Sequence, residues 1–235
     1  MRYFKFFSLT SVAITVTFSL AAQSTASKQI ATQSDIKLST STDTVQYSLG
    51  AYIGQWFQKN GFRVTSQAIF QRGIDDVLNN RKLAINDTVV APLVASYQLS
   101  IQNAKSKALE ESLFEALKGK AGVGVLPSGV HYMVAKTGTG RRPEAKDSVI
   151  FNTIGMFPDG TKFEDTYQKK QAIKAVPGNL IAGLNEAIQL MPEGSTWRIF
   201  IPSQLGYGSA GRPGIIPPNS ALVFDVNLVQ VKAQR

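Results

Sequence analysis

The sequence contains no cysteine, and its only histidine is His131. The first absence excludes a disulfide framework, a thiolate nucleophile and Cys-ligated zinc, and the second excludes a His-rich metal centre. A Ser/His/Asp hydrolase would have to use His131, which stands in Gly129-Val130-His131-Tyr132-Met133-Val134. Strand alternation places it on the face opposite Val130, Tyr132 and Val134, so it reads as a half-exposed strand histidine. Acidic residues are also scarce, 16 against 25 Lys and Arg, for a formal charge of +9. The basic residues are scattered, the densest groups being Arg141-Arg142 and Lys169-Lys170. Such a surface favours weak contact with acidic chains or anionic surfaces, and no nucleic-acid partner is expected. What remains is ordinary globular composition, 43% hydrophobic over 235 residues, enough for one or two cored domains.

The chain opens with a short basic stretch, Met1-Arg2-Tyr3-Phe4-Lys5, then an uncharged run from Phe6 to Ala22, then polar Gln23-Ser24-Thr25-Ala26-Ser27. This is the shape of a secretory signal over residues 1–22, with cleavage points after Ala22 or Ala26. As a membrane anchor, a run broken by Ser8, Thr10, Ser11, Thr15 and Thr17 is short and polar. No cysteine ends the run, so a lipoprotein is excluded. Removing Arg2 and Lys5 lowers the charge to +7, still basic. Export to the periplasm or cell envelope is the expectation.

Residues 23–43 are Ser/Thr/Gln-rich and read as a flexible leader. A capping-box-like start at Asp43-Thr44-Val45-Gln46 precedes Val45, Leu49, Tyr52, Ile53, Trp56 and Phe57 at helical spacing, with Gly61 as the stop. Ser66 caps a second predicted helix bearing Ile69, Phe70, Ile74, Val77 and Leu78. A third begins after Asn86 and runs to about Lys118, roughly 45 Å at 1.5 Å per residue, with Pro92 expected to kink or interrupt it. Two short helices carrying Tyr52, Trp56, Phe57 and Phe70 make a thin core. A second copy of the chain is the simplest cover, and packing on the C-terminal half is the alternative. The helical domain is therefore read as residues 44–121 and as a homodimerisation segment.

From residue 122 to 235 the texture changes to short alternating runs punctuated by Gly and Pro. Strands are predicted at residues 130–136, 148–156, 161–165, 172–176, 196–201 and 221–231, with one helix at 179–190. In the last strand, Leu222, Phe224, Val226 and Leu228 share one face and Ala221, Val223, Val229 and Val231 the other. Many short strands and one short helix describe an α+β domain, an antiparallel sheet wrapped around a single helix. Gly206-Tyr207-Gly208-Ser209-Ala210-Gly211 matches a dinucleotide fingerprint letter for letter. It is followed by Arg212-Pro213-Gly214-Ile215-Ile216-Pro217-Pro218, which cannot open the helix that such a site requires. No cofactor and no metal is expected.

Leu205-Gly206-Tyr207-Gly208, Pro213-Gly214-Ile215-Ile216-Pro217-Pro218-Asn219 and Leu222-Val223-Phe224-Asp225-Val226 together resemble the C-terminal signature of FKBP-type peptidyl-prolyl isomerases. The likeness extends through Gly155-Met156-Phe157-Pro158-Asp159-Gly160-Thr161-Lys162-Phe163-Glu164, Val176-Pro177-Gly178-Asn179-Leu180-Ile181-Ala182-Gly183-Leu184 and Leu190-Met191-Pro192-Glu193-Gly194-Ser195. Tyr47-Ser48-Leu49-Gly50 and Leu126-Pro127-Ser128-Gly129 are similar to the dimerising half of exported bacterial FKBPs of the macrophage infectivity potentiator type. The resemblance implies a V-shaped homodimer that isomerises X-Pro bonds in exported proteins, acts on unfolded or proline-containing chains, and binds macrolides of the FK506 and rapamycin type. It implies a catalytic pocket of Phe163, Glu164, Ile181, Tyr207 and Phe224, with Ile173, Leu180, Leu184, Ile215 and Ile216 as substrate walls. Tyr207 would donate its hydroxyl to the substrate carbonyl, and the Ile181 N–H would hold the chain beyond it. Three positions differ from the family pattern: Thr153 for a Tyr, Leu184 for a Trp and Glu164 for an Asp, giving a less aromatic lining. The other function such a chain supports is a dimeric holdase chaperone with vestigial isomerase activity.

Overall fold

The computed structural model describes residues 36–233, so the predicted signal segment and most of the leader lie outside the described residues. The chain forms two compact units, one through Gly54 and one from Gln55 onward. The first unit ends inside helix α1 (Ser41–Asn60), whose start is earlier than the sequence pattern suggests. Its capping box is Thr40 with Asp43: the Thr40 N–H donates to Asp43 Oδ2 at 2.9 Å, and the Asp43 N–H donates to Thr40 Oγ1 at 3.0 Å. Hydrogen bonding by the Thr40 hydroxyl foremost, then by the N–H groups of Thr40 and Ser39, holds the Asp43 carboxyl below its ordinary pKa. The leader thus gives way to helix at Ser41, because two oxygens of short side chains satisfy N–H groups that a helix start leaves orphaned. Val45, Leu49, Tyr52 and Ile53 are exposed.

The second unit begins with residues 55–60 of α1, which Gly61 terminates at a φ of 73°. Helix α2 (Gln67–Leu78) is capped by Ser66, and α3 (Asp87–Leu117) by the Asn86 side chain, which accepts from the Thr88 N–H at 3.0 Å. Pro92 does not interrupt α3, which continues as one helix through it. It sits near the N-terminal end, where the ring costs a single backbone hydrogen bond. Trp56, Phe57, Phe62, Phe70 and Tyr97 form one ring cluster with centroids 5.1–5.9 Å apart. These rings pack on one another, and Tyr97 brings α3 into the cluster. Trp56 and Phe70 stay partly exposed, and Ile69, Val77 and Leu78 are more so.

Seven strands follow: β1 (Val123–Val125), β2 (His131–Lys136), β3 (Ser148–Met156), β4 (Lys162–Asp165), β5 (Ile173–Ala175), β6 (Thr196–Ile201) and β7 (Leu222–Lys232). They form one antiparallel sheet in the order β1-β2-β6-β7-β3-β4, with β5 also paired to β3. β1 lies outside the predicted strands, since three residues carry too little alternation to register. Helix α4 (Ala182–Leu190) lies on the concave face and buries Leu184, Ala187 and Ile188 against Val130, Phe151, Ile199, Ile201, Leu222, Val226 and Leu228. The helix comes close because Gly183 has no side chain: a Cβ there would press on Ile201 and Val130.

Strict alternation fails in β7. Between Ile150 and Phe151 the register with β3 shifts, so that Gln230 pairs with Ile150 and Leu228 with Phe151, leaving Val229 as the extra residue. Val231 therefore returns to the concave core beside Leu228, while Val229 is left exposed. On the opposite face, Val223 and Phe200 meet Leu117, Leu113 and Phe114 of α3, so the end of the long helix covers the outside of the sheet. Farther up α3, Asn103 faces Asn219, Ser106 shares a hydrogen bond with Ser220 at 3.2 Å, and Glu110 accepts from the Ser203 N–H at 3.2 Å. His131 is half-buried as read, but its ring lies 5.0 Å from Phe114 on this outer face and so takes no part in the site.

Candidate active site

Inward alternation on β3 points Phe151 and Thr153 at the concave face. Gly155, next on that face, leaves room for the rings of Phe163 and Phe224, which would collide with a Cβ and which meet edge to face at 5.6 Å. Around them lies a cavity of about 410 Å³. Its walls include all ten residues that the sequence resemblance implied: Phe163 and Glu164 of β4, Ile173 of β5, Leu180, Ile181 and Leu184 at the start of α4, Tyr207, Ile215 and Ile216 of the loop after β6, and Phe224 of β7. Phe151, Thr153, Lys169, Asn179 and Arg212 complete the lining. None of these five was assigned to the site from sequence, although Thr153 stood out as a departure from the family pattern. Strand period could have placed Phe151 and Thr153 on the inner face. Nothing local marks Lys169, Asn179 and Arg212, because they reach the cavity from separate loops.

The loop carrying Tyr207 is tied down by backbone hydrogen bonds. The Gly208 N–H donates to the Ser203 carbonyl at 2.9 Å, the Gly211 N–H to the Tyr207 carbonyl at 3.1 Å, and the Asn219 N–H to the Gly208 carbonyl at 2.8 Å. Arg212 and Ile216 exchange two further bonds at 2.7 and 2.8 Å, closing a tight turn that carries Ile215. Gly211 enters that turn at a φ of 60°, with the Ile216 carbonyl, Pro217 and Pro218 packed where a side chain would begin. Tyr207 is thereby fixed without being a core residue. Its hydroxyl has no hydrogen-bond partner among the described residues and is free to donate. Ile181 is the N-cap of α4 and has no side-chain cap, so its N–H is among the orphan donors of a helix start.

The substituted positions have distinct consequences. Leu184 is buried beneath the cavity, and Thr153 is buried with its Oγ1 unpaired. The Thr153 backbone is held from outside the cavity by the Thr166 hydroxyl, which accepts its N–H at 2.8 Å. Glu164 is paired with Lys169, whose Nζ donates to Oε1 at 2.6 Å, so its charge is compensated at the rim. At the two ends of β4, the Lys162 ammonium holds the Asp165 carboxyl below its usual range by hydrogen bonding. In chemical terms this is a slot with aromatic and aliphatic walls, where the Tyr207 hydroxyl and the Ile181 N–H stand unpartnered, the Thr153 hydroxyl is unpaired below, and Glu164, Lys169 and Arg212 bring charge to the lining. Among the described residues no cluster of His, Cys, Asp or Glu could hold a metal ion.

Such a lining has the size and character to take a compact apolar group beside an amide carbonyl, and an antiparallel sheet curled on one helix frames it. A sequence model described as FKBP-type peptidyl-prolyl cis-trans isomerase matches residues 139–229, and one described as the domain amino terminal to it matches residues 42–134. The outer membrane protein MIP of Legionella longbeachae is 32% identical over 205 residues, covering 83% of this chain and 88% of that protein. The peptidyl-prolyl cis-trans isomerase Mip of Coxiella burnetii is 31% identical, covering 83% and 89%. The crystal structure of FkpA from Escherichia coli matches with a TM-score of 0.58 at 26% identity, covering 83% of this chain and 99% of that one. The chain belongs to the FKBP-type peptidyl-prolyl cis-trans isomerases, and it is an enzyme of X-Pro bond rotation. The α+β architecture, a helical N-terminal half followed by an FKBP-like sheet, is the one the sequence predicted.

Proposed function

We propose that the 410 Å³ cavity is the prolyl site and that Tyr207 and the Ile181 N–H are its working donors. Partial double-bond character makes X-Pro rotation slow, with a barrier of about 18–20 kcal/mol for a peptide bond. The planar amide is the more dipolar state, so moving it from water into an apolar slot raises it relative to the twisted form. Phe163, Ile173, Leu180, Ile216 and Phe224 exclude the water, and Leu184 forms the floor. The Tyr207 hydroxyl donates to the carbonyl of the substrate, and the Ile181 N–H holds the chain beyond the ring. Glu164, neutralised by Lys169, keeps the mouth polar. The observation that carries this reading is the placing of two unpartnered donors, the Tyr207 hydroxyl and the Ile181 N–H, beside the aromatic and aliphatic walls of one cavity. Macrolides of the FK506 and rapamycin type would occupy the same slot.

The test is a proline-isomerisation assay with Tyr207→Phe. Loss of one neutral hydrogen bond, about 0.5–1.5 kcal/mol, predicts a severalfold lower kcat/KM with an unchanged melting temperature. Unaltered activity would remove the hydroxyl from the mechanism.

We further infer residues 44–121 as a dimerisation domain and 122–235 as the catalytic domain, working on exported proteins in the periplasm or envelope. The name of the Legionella longbeachae relative, an outer membrane protein, supports that location, as does the N-terminal signal pattern. Among the described residues no helix is long and apolar enough to cross a membrane. The second reading, a dimeric holdase whose isomerase site is vestigial, is favoured by the thinned aromatic lining at Thr153 and Leu184. Leu184→Trp separates the two. On the enzyme reading it raises refolding of a proline-limited substrate and leaves suppression of aggregation of a proline-free one unaltered. Overpacking, typically costing about 1–3 kcal/mol, is monitored by melting. If Leu184→Trp and Tyr207→Phe both leave proline-limited refolding untouched, this cavity is not the working prolyl site and the holdase reading takes precedence.

A further inference from the structure

Three charged side chains line the prolyl cavity: Glu164, Lys169 and Arg212. Lys169 and Glu164 neutralise one another at 2.6 Å. Arg212 has no ion-pair partner among the described residues. Its backbone is nonetheless among the most constrained in the loop, because it exchanges two hydrogen bonds with Ile216, itself a buried wall of the cavity. An exposed guanidinium is thus mounted on the rim at a fixed origin, and the cavity mouth carries one net positive charge. The neighbouring Lys162 and Asp165 cancel one another at 2.9 Å and do not alter that balance. The whole chain is basic as well, at +9, so the local and the long-range field have the same sign.

Building on the prolyl-site reading, we propose that Arg212 is a specificity residue that selects X-Pro segments with an acidic side chain adjacent to the isomerised bond. Arginine suits this role because its planar fork offers paired donors to a carboxylate, stays charged at every physiological pH, and gives up hydration more readily than an ammonium. A carboxylate beside the proline gains this contact at the mouth while the prolyl ring fills the apolar slot, so the two elements act on different parts of the substrate. Because Arg212 is exposed, the gain is that of a surface ion pair and not of a buried one.

The experiment measures kcat/KM of the full chain on peptides that differ only in carrying Glu or its uncharged isostere Gln immediately before or immediately after the proline. A Glu-over-Gln preference of about two- to fivefold is expected at one of the two positions, the range that an exposed ion pair supplies. It is expected to shrink toward unity in about 1 M salt, where the Debye length is about 3 Å. Arg212→Gln should bring the ratio to unity, and Arg212→Glu should invert it, favouring Gln over Glu. Each ratio is internal to one protein preparation, so partial misfolding of a variant does not mimic the result. A wild-type ratio of unity at both positions, or a preference that survives Arg212→Gln, overturns the proposal while leaving the prolyl site intact. The prolyl-site reading fails differently, by loss of any effect of Tyr207→Phe on all peptides alike.

Discussion

The chain without its first 22 residues is expected to scatter light as a dimer at micromolar concentration, and residues 120–235 alone as a monomer. The cause is apolar surface that one copy does not cover. Ile69, Val77 and Leu78 are each more than half exposed, and Trp56 and Phe70 remain partly so although their rings pack on Phe57, Phe62 and Tyr97. Burying a side chain of this size stabilises by about 1.5–3 kcal/mol, so a handful of them in a shared interface is ample for a tight dimer. The catalytic half has no comparable need, since its inner face is filled by α4 and its outer face is met by the end of α3. The fragment removes that outer cover over Phe200 and Val223, so some loss of stability is expected with it. A monomer from the chain without its first 22 residues would refute the interface, and Leu78→Glu should dissociate the dimer while costing the single chain little.

The second large effect is expected from Gly211→Ala, which adds one carbon to the turn that carries the cavity wall. At a φ of 60° an alanine is strained by about 1–2 kcal/mol, and its Cβ would press on the Ile216 carbonyl and lie 2.8 Å from Pro218 N. None of those is a flexible side-chain end, so the turn itself must move. It carries Ile215, Ile216 and Arg212 together, and the Gly211 N–H is also the donor to the Tyr207 carbonyl. Displacement of this wall by about 1 Å is expected to cost on the order of 100-fold in kcat/KM. Circular dichroism should show the sheet retained, because neither β6 nor β7 contains the turn. Wild-type activity in Gly211→Ala would mean that the turn does not shape the site.

The lining of the candidate site was legible where chemistry and sequence order coincide. The Gly-flanked Tyr207 and the Ile215-Ile216 pair stand in one contiguous motif, and the resemblance extended the set to Phe163, Leu180 and Phe224. Lys169 and Arg212 were not legible as site residues. They lie 43 positions apart in the sequence, and only the curl of the sheet brings the loops that carry them to one cavity mouth. The reading of the aromatics in α1 and α2 was half complete, since period alone cannot tell a ring that packs on its own chain from one left for a partner.

Period and punctuation determined most elements by themselves. β3 and β6 span the residues that alternation predicts, and Asn86 and Gly119 bracket the long helix, because caps and alternation act over a few residues. Only tertiary structure decided that Val229 would bulge and hand Val231 to the core, since register depends on what β3 presents across the ladder. It also decided that the tail of α3 would cover the outer face through Leu113, Phe114 and Leu117. That contact depends on where a separate sheet places Phe200 and Val223, an arrangement that no local period in α3 encodes.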